Sequence, residues 1–407
     1  MVTYTCDKCG KAFSHKGNYT KHTNKKKPCI IETISTCEET IIKADTIPNS
    51  RHQKYADLFC GLGAFHTAFD AINTLNATNN SNTTYTCVFA CDIDETVRKL
   101  YQENHGITPN GDINQLEIEK MPDFDILCAG FPCQPFSISG KKEGFSDTTK
   151  GNLFFSILKI VDIKTPETIL LENVKNLVTI DDGNTFQIIQ SELENRGYIV
   201  TYQVIDSKYY HCPQSRQRVY IVARKEKKYE FPNKPTNTIV PVSSIIDFTE
   251  TRFLAYEEKY RLESCKTNSF AESNDMVASN GNCSMVYKVI NKVTTKGGRQ
   301  GERVYSIESY GPTICASSGG PGAKTGLYCI PNDVDAILNN DNDNDSVGKK
   351  HVQKNIQIRR LNVIECLKMF GFSENYKWRN IAKEEDMLFY LGNSIVVNVL
   401  VHLLENL

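Results

Sequence analysis

The sequence contains no stretch approaching the ~18 consecutive apolar residues that a membrane-spanning helix requires, and no hydrophobic segment at its start to act as a secretory signal. Those two absences point to a soluble, intracellular protein without a membrane partner. Net charge is also nearly absent, at −1 from 47 Lys and Arg against 48 Asp and Glu. The total therefore neither demands nor excludes a polyanionic partner, and local distribution has to decide. No internal repeat is visible. The 15 cysteines are scattered through apolar runs of a 407-residue chain, which excludes a disulfide framework and reads as reduced thiols. The sequon-like Asn76-Ala-Thr78 is then chance. Nothing calls for an obligate protein partner, and a monomer is expected.

What is present begins with a basic head. Residues 1–29 carry seven lysines against one acid, Asp7, a balance of about +6 by direct count. Within them Cys6-x2-Cys9-x12-His22 has zinc-finger spacing, and Phe13 and Tyr19 stand at the two apolar positions of a ββα finger. No second histidine follows within five residues. Cys29 is the available fourth ligand, and thiolates suit zinc. The expectation is a finger of the Cys-Cys-His-Cys type over 1–30 holding a structural Zn²⁺, against the alternative of a degenerate, metal-free finger. A polar stretch to about Ser50 reads as a linker.

With 40% hydrophobic residues the chain can build two or three domains. From Tyr55 short β-rich runs alternate with helical stretches: Tyr55–Phe59, Cys87–Ala90, Asp125–Ala129, Thr168–Leu171, Ile199–Ile205 and Val219–Ala223. Such alternation predicts an α/β fold with an open, mostly parallel sheet, whose ligands bind beyond the carboxyl ends of the strands. The Asn/Thr-rich segment 76–84 reads as a surface insertion. From about Lys225 the rhythm fails, and 225–355 reads as a smaller, irregular domain in which 338–345 is a disordered loop. Helical periodicity returns at 361–370 and 385–407. The expected division is 1–30, 31–50, 51–224, 225–355 and 356–407.

The chemistry concentrates in a few motifs. In Gly130-Phe131-Pro132-Cys133-Gln134-Pro135, a cysteine between two prolines follows a buried strand. Proline fixes φ and donates no backbone hydrogen bond, so a stiff turn presents this thiol at the strand's end. Glu172-Asn173-Val174 places a carboxylate at another strand end. In Gln214-Ser-Arg216-Gln-Arg218 two arginines alternate, as a strand would project them to one face. Asp57-Leu-Phe59-Cys-Gly61-Leu-Gly63 is a strand running into a glycine loop that opens a helix. It lacks the third glycine of a dinucleotide fingerprint, and a nicotinamide reductase is the weakest reading. Asp92 ends the second run at a place where an acid in a nucleotide-binding unit meets ribose. Asp112 follows in Gly111-Asp112-Ile113.

In order and type these motifs resemble the DNA (cytosine-5)-methyltransferase family, in its bacterial-type, single-specificity form. Arg359-Arg360-Leu361 with Glu365 and Phe370-Gly371-Phe372, and Gly392-Asn393-Ser394, resemble the family's two last motifs. The likeness covers roughly 54–224 and 356–405. It implies a Rossmann-like sheet binding S-adenosylmethionine. Phe59, Gly61 and Gly63 would lie on the methionine part, with Asp92 on ribose, Asp112 and Ile113 at the adenine, and Asn393 and Ser394 closing the pocket. The family usually has Glu where Asp92 stands. The resemblance further implies Cys133 as the nucleophile on C6 of a flipped cytosine and Glu172 on N3 and the exocyclic amine. Arg216 and Arg218 would brace the catalytic loop and reach O2, with Arg218 on the base.

The segment Ser137–Gly151 has glycines and lysines suited to a lid closing on DNA backbone. It ends in Asp147-Thr-Thr-Lys150-Gly151, where the family has Asp-x-Arg-Gly. Gly297-Gly-Arg299-Gln-Gly-Glu-Arg303 and Pro312-Thr313 resemble the family's target-recognition region. Arginine forks on guanine edges make Arg299 and Arg303 candidate DNA contacts, with Thr313 and Gln214 beside them. The implied partner is double-stranded DNA. Two alternatives stay open: an RNA (tRNA) cytosine-C5 methyltransferase, whose Cys-Phe-Thr motif is absent here, and a catalytically dead DNA-binding scaffold. A restriction–modification methylase, an orphan methylase and a viral enzyme would share these motifs.

Overall fold

A computed structural model describes residues 4–5, 12–13, 15–23, 51–132, 153–250, 260–265, 285–292, 294–295, 297–298, 300–316, 325–331 and 356–407. The chain divides into two compact units, Met1–Asn49 and Ser50–Leu407. In the first, strands β1 (Tyr4–Thr5) and β2 (Ala12–Phe13) pair antiparallel, and helix α1 (Lys16–Thr23) follows. That is the ββα order expected of a finger.

The second unit is built on a six-stranded sheet. Its strands are β3 (Arg51–Leu58), β4 (Thr83–Cys91), β5 (Ile126–Gly130), β6 (Thr168–Val174), β7 (Ile199–Asp206) and β8 (Gln217–Arg224), in the order β4-β3-β5-β6-β8-β7. All six correspond to the apolar runs of the sequence. Pairing is parallel from β4 to β6, and β8 alone runs against its neighbours β6 and β7.

The inner strands are buried on both faces, which parallel sheets require because their crossover helices cover them. Alternate residues divide between two cores. Tyr55, Ile126, Cys128 and Leu170 pack with helices α2 (Ala64–Thr78) and α3 (Glu95–His105), through Phe65, Phe69, Leu100 and Tyr101, on one side. Leu58, Leu127, Ala129 and Leu171 pack on the other with α4 (Leu153–Lys164) and α5 (Asn184–Glu194), through Phe154, Ile157 and Ile189. Helices α6 (Val363–Phe370), α7 (Glu384–Asn393) and α8 (Val397–Leu404) join the first core through Leu367, Leu391 and Leu400.

Local chemistry sets the helix ends. Asp94 accepts from the backbone N–H groups of Thr96 and Val97 to cap α3, and Gly106 ends it in the left-handed region. Asn362 and Glu365 form a reciprocal capping box at α6. Glu365 is also the buried partner of Arg359, whose Nη2 stands 2.7 Å from Oε1.

Three expectations change. The region expected to be irregular contains a five-stranded sheet, in the order β13-β12-β11-β10-β9, from Tyr260–Ser264 (β9), Met285–Asn291 (β10), Arg303–Ser306 (β11), Leu327–Pro331 (β12) and Ile356–Arg359 (β13). Since β13 pairs with β12, this sheet runs past the boundary placed at 355. Residues 76–84 are not an insertion: they finish α2, turn, and begin β4, with Asn76 Nδ2 donating to the Thr83 carbonyl at 2.9 Å. Finally, Glu384–Leu404 is long and apolar enough to cross a membrane, alone among the described segments, although 61% of its most apolar stretch is buried inside the protein. The helix breaks there between Asn393 and Val397, where α7 gives way to α8. The proposed linker 31–50, the lid 137–151 and the loop 338–345 lie outside the described residues.

Candidate active site

Parallel strands β3, β5 and β6 end side by side, Gly130 being in register with Glu172. Because β8 runs the other way, its first residues lie at that same edge, with Arg218 in register with Val174. Residues that follow three strands and begin a fourth thus converge on one cavity of about 650 Å³.

One half of the cavity is a loop held by a carboxylate. Phe59 and Gly61 take positive φ, 55° and 52°, and both line the wall. The Gly61 N–H donates to Asp92 Oδ2 at 3.0 Å, and the Asp94 N–H donates to Oδ1 at the same distance. Asp92 thereby fixes the loop while lining the cavity. Burial raises its pKa, against the two backbone donors. Asp112 also lines the wall; its Oδ1 accepts from the Asn114 N–H at 2.9 Å, and Ile113 is buried beside it. Asn393 and Ser394 complete this half from the end of α7.

Gly63 does not line the cavity. It stands at φ 82°, and a Cβ there would come within 2.1 Å of His105 Nε2. Glycine is needed for close packing against α3, behind the loop. Sequence reasoning missed Ile93, 74% exposed on the rim, and the pair Phe389 and Tyr390. The signal for Ile93 was an apolar residue set among acids, in Asp92-Ile93-Asp94-Glu95. Tyr390 donates to Asp94 Oδ2 at 3.2 Å, joining α7 to the start of α3. A cavity of this size, with an open-backbone loop, a carboxylate and exposed apolar edges, fits the S-adenosylmethionine that the resemblance implies.

The other half brings Glu172, Arg216 and Arg218 to the wall beside Phe131 and Pro132. Cys133 itself lies outside the described residues. The chain two residues before it is anchored: buried Asn173 donates through Nδ2 to the Phe131 carbonyl at 2.9 Å. Glu172 is buried, and its Oε1 has no hydrogen-bond partner although Arg218 Nε stands 3.2 Å away. Burial raises the Glu172 pKa, and the Arg218 and Arg216 charges pull it back down.

The two arginines separate in role. Arg216 donates to the carbonyls of Ile314 (2.8 Å), Gly392 (2.9 Å) and Ser394 (2.7 Å) and lies over the Phe370 ring at 5.1 Å. Burial lowers its pKa to about 9. Its Nη1 and Nη2 are committed to backbone, while its buried Nε has no hydrogen-bond partner among the described residues. Arg218 remains beside Glu172, and among the described residues its Nη1 donates to the neighbouring Gln217 carbonyl. Gly392 makes the Arg216 junction possible: a Cβ there would sit 2.2 Å from the Ala316 nitrogen.

Of the expected DNA contacts, Gln214 is fully buried, donating to the Met369 carbonyl at 3.3 Å and accepting from the Ile314 N–H at 3.3 Å. Thr313 donates its hydroxyl to the Ser215 carbonyl at 2.6 Å. Both turn inward and fix residues 311–316 against the Arg216 segment. Arg303, exposed at the start of β11, donates through Nε to the Gly298 carbonyl at 3.3 Å. Arg299 lies outside the described residues, as do Cys6, Cys9 and Cys29. His22 is half-buried on α1.

Comparison with known proteins gives the same placement. The family model "C-5 cytosine-specific DNA methylase" matches residues 53–407. Type II methyltransferase M.HhaI of Haemophilus parahaemolyticus is 32% identical over 361 residues, covering 87% of this chain and 94% of that protein. Type II methyltransferase M.Bsp6I of Bacillus sp. (strain RFL6) is 30% identical, covering 86% and 97%. In fold, the chain is similar to the S. pombe Dnmt2 methyltransferase, with a TM-score of 0.59 at 20% identity over 86% of this chain and 97% of that one. A sheet whose reversed strand returns two arginines to a carboxylate, in a chain matched along residues 53–407, thus places this chain in the C-5 cytosine-specific DNA methylase family.

Proposed function

We propose that the chain methylates C5 of a cytosine within a specific sequence of double-stranded DNA. The observation that carries this reading is Glu172: a buried carboxyl ion-paired with Arg218, whose Oε1 accepts no hydrogen bond among the described residues, facing the cavity on the strand beside the one that leads to Cys133. Cytosine C5 is too weak a nucleophile to attack an electrophilic methyl unaided, so the ring needs covalent activation. The Cys133 thiolate adds to C6 and makes C5 enamine-like. Glu172, whose burial favours the protonated form, donates to N3 while its other oxygen accepts from the exocyclic amine. Arg218 holds O2. Loss of the C5 proton then expels Cys133. The target base must leave the stack for these groups to reach it.

S-adenosylmethionine, when bound, supplies the methyl group as a sulfonium electrophile. Phe59, Gly61, Asp92, Asp112, Ile113, Asn393 and Ser394 are the residues that would hold it.

The N-terminal unit is read as an accessory DNA contact, folded around zinc by Cys6, Cys9, His22 and Cys29. Its ββα order and its lysines support that reading. Arg303 and Arg299 are the candidate base readers.

Bisulfite sequencing of DNA from a host expressing the chain tests activity and target sequence together, with host tRNA as the control substrate. A duplex carrying 5-fluorocytosine at the target should trap the wild-type chain in a denaturant-stable adduct, since fluorine cannot leave as a proton. Cys133→Ser should form no adduct and transfer no methyl while still retarding DNA in a gel. Turnover by the serine variant sinks the covalent mechanism.

A further inference from the structure

Behind the cofactor loop lies a cluster that the methyl-transfer chemistry does not use. His66 and Asp70 sit one turn apart on α2, and His105 ends α3. One ligand atom from each lies within 4.8 Å of the others. The two imidazoles stack with centroids 4.5 Å apart.

Each imidazole has one nitrogen committed to the protein. His66 Nδ1 is 2.9 Å from the Tyr101 hydroxyl, which in turn donates to Asp57 Oδ2 at 3.2 Å. The tautomer that donates Nδ1–H to Tyr101 leaves a lone pair on Nε2, 3.8 Å from Asp70 Oδ2. His105 Nε2 is 3.2 Å from the Leu62 carbonyl. Donation there leaves the lone pair on Nδ1. Histidines that ligate metals have this form: one nitrogen donates to a fixed oxygen and the other faces the ion. We propose that His66, His105 and Asp70 form a second, finger-independent site for a divalent transition metal of the zinc class, which ties α2 to α3 beneath the loop Gly61–Gly63.

The chemistry of the donors agrees. Two imidazoles and one carboxylate are a borderline set that suits Zn²⁺ better than Mg²⁺ or Ca²⁺. Tetrahedral ligands ~2 Å from zinc are about 3.3 Å apart, so the present spacing must contract. The Asp70 side chain, 63% exposed, is free to move inward and leaves an entry path for the ion. Coordination would also fix the Leu62 carbonyl, which Tyr376 holds from another direction at 3.0 Å.

Chelator-treated full-length chain carrying Cys9→Ser, which disables the finger set, should be titrated with Co²⁺. Expected are about one equivalent bound, a visible d–d absorption without thiolate charge transfer, and a higher melting temperature with metal. Asp70→Asn and His105→Phe in the same background should each weaken binding at least about tenfold. X-ray absorption of the cobalt form gives a reading independent of both variants, and should show imidazole nitrogen and no sulfur. Failure to bind, binding undiminished in either folded variant, or a sulfur-containing shell overturns the proposal. Each of these can fail while methyl transfer stands, and loss of methyl transfer would leave them untouched.

Discussion

Arg216 and Arg218 are the same residue type two positions apart, and only one of them is free to meet a substrate. Arg216 spends its guanidinium on three backbone carbonyls. Arg216→Ala would leave those buried acceptors unpaired and should cost about 3 kcal/mol or more of stability, read as a large drop in melting temperature together with lost activity. Arg218→Ala should instead leave melting nearly unchanged and lower kcat on the order of 10²-fold, because it removes a charge facing the reacting ring. Equal thermal losses in the two variants would erase this distinction. A second residue-scale expectation concerns pH. His66 and His105 have folded pKa values of about 4, below the ordinary 6.5. Between those values the unfolded chain binds more protons than the folded one, so stability is full above about pH 6.5 and is lost as pH falls toward 4. Melting followed from pH 7 to pH 4 should show that fall, and His105→Phe should flatten it. The sequence shows residue types but not their partners: Arg216 meets Ile314, Gly392 and Ser394 across roughly a hundred or more intervening residues. Motif order alone therefore puts Gln214 and Thr313 on DNA, where the structure turns both inward.

At the scale of elements, β6 does more than present Glu172. Its next residue, Asn173, reaches across to the Phe131 carbonyl just past the end of β5 and so anchors the chain two residues before Cys133. Asn173→Ala removes that anchor, at a residue that also lines the cavity. It should lower kcat on the order of 10²-fold through misplacement of the thiol, with the KM for S-adenosylmethionine unchanged. A matching rise in that KM would mean the anchor serves the cofactor half instead. The inner strands of the first sheet were legible because strands buried on both faces read as continuous apolar runs, and edge strand β7, exposed at Ile199, Tyr202 and Val204, by its β-branched and aromatic residues. The second sheet was not. Its strands mix Lys288, Asn291, Arg303 and Gln357 into runs of four to seven residues, and β11 pairs parallel with β12 across the segment between them. Nothing local marks such pairing. The reversal of β8 was equally hidden, since an apolar run carries no direction, and that reversal is what brings two arginines to the carboxyl edge.

For the whole molecule, residues 1–49 and 50–407 are separate compact units, and the motifs for chemistry fall in the second. Deleting 1–49 should leave the methylated sequence unchanged and lower DNA affinity. It should also flatten the dependence of that affinity on salt, because the seven lysines of 1–29 no longer displace counterions from phosphate. Bisulfite patterns of the truncated and full chains separate the two roles: methylation at different sites would make the N-terminal unit a reader of sequence. Helix α8 packs in the same core as α2, and Asn393 and Ser394 close a cavity opened by Phe59. During synthesis, then, the first strand and its loop emerge long before the residues that complete them. The nascent chain must hold an unfinished cavity until residue 404 has cleared the ribosome, so premature termination within α7 or α8 should yield a chain that binds chaperones rather than S-adenosylmethionine.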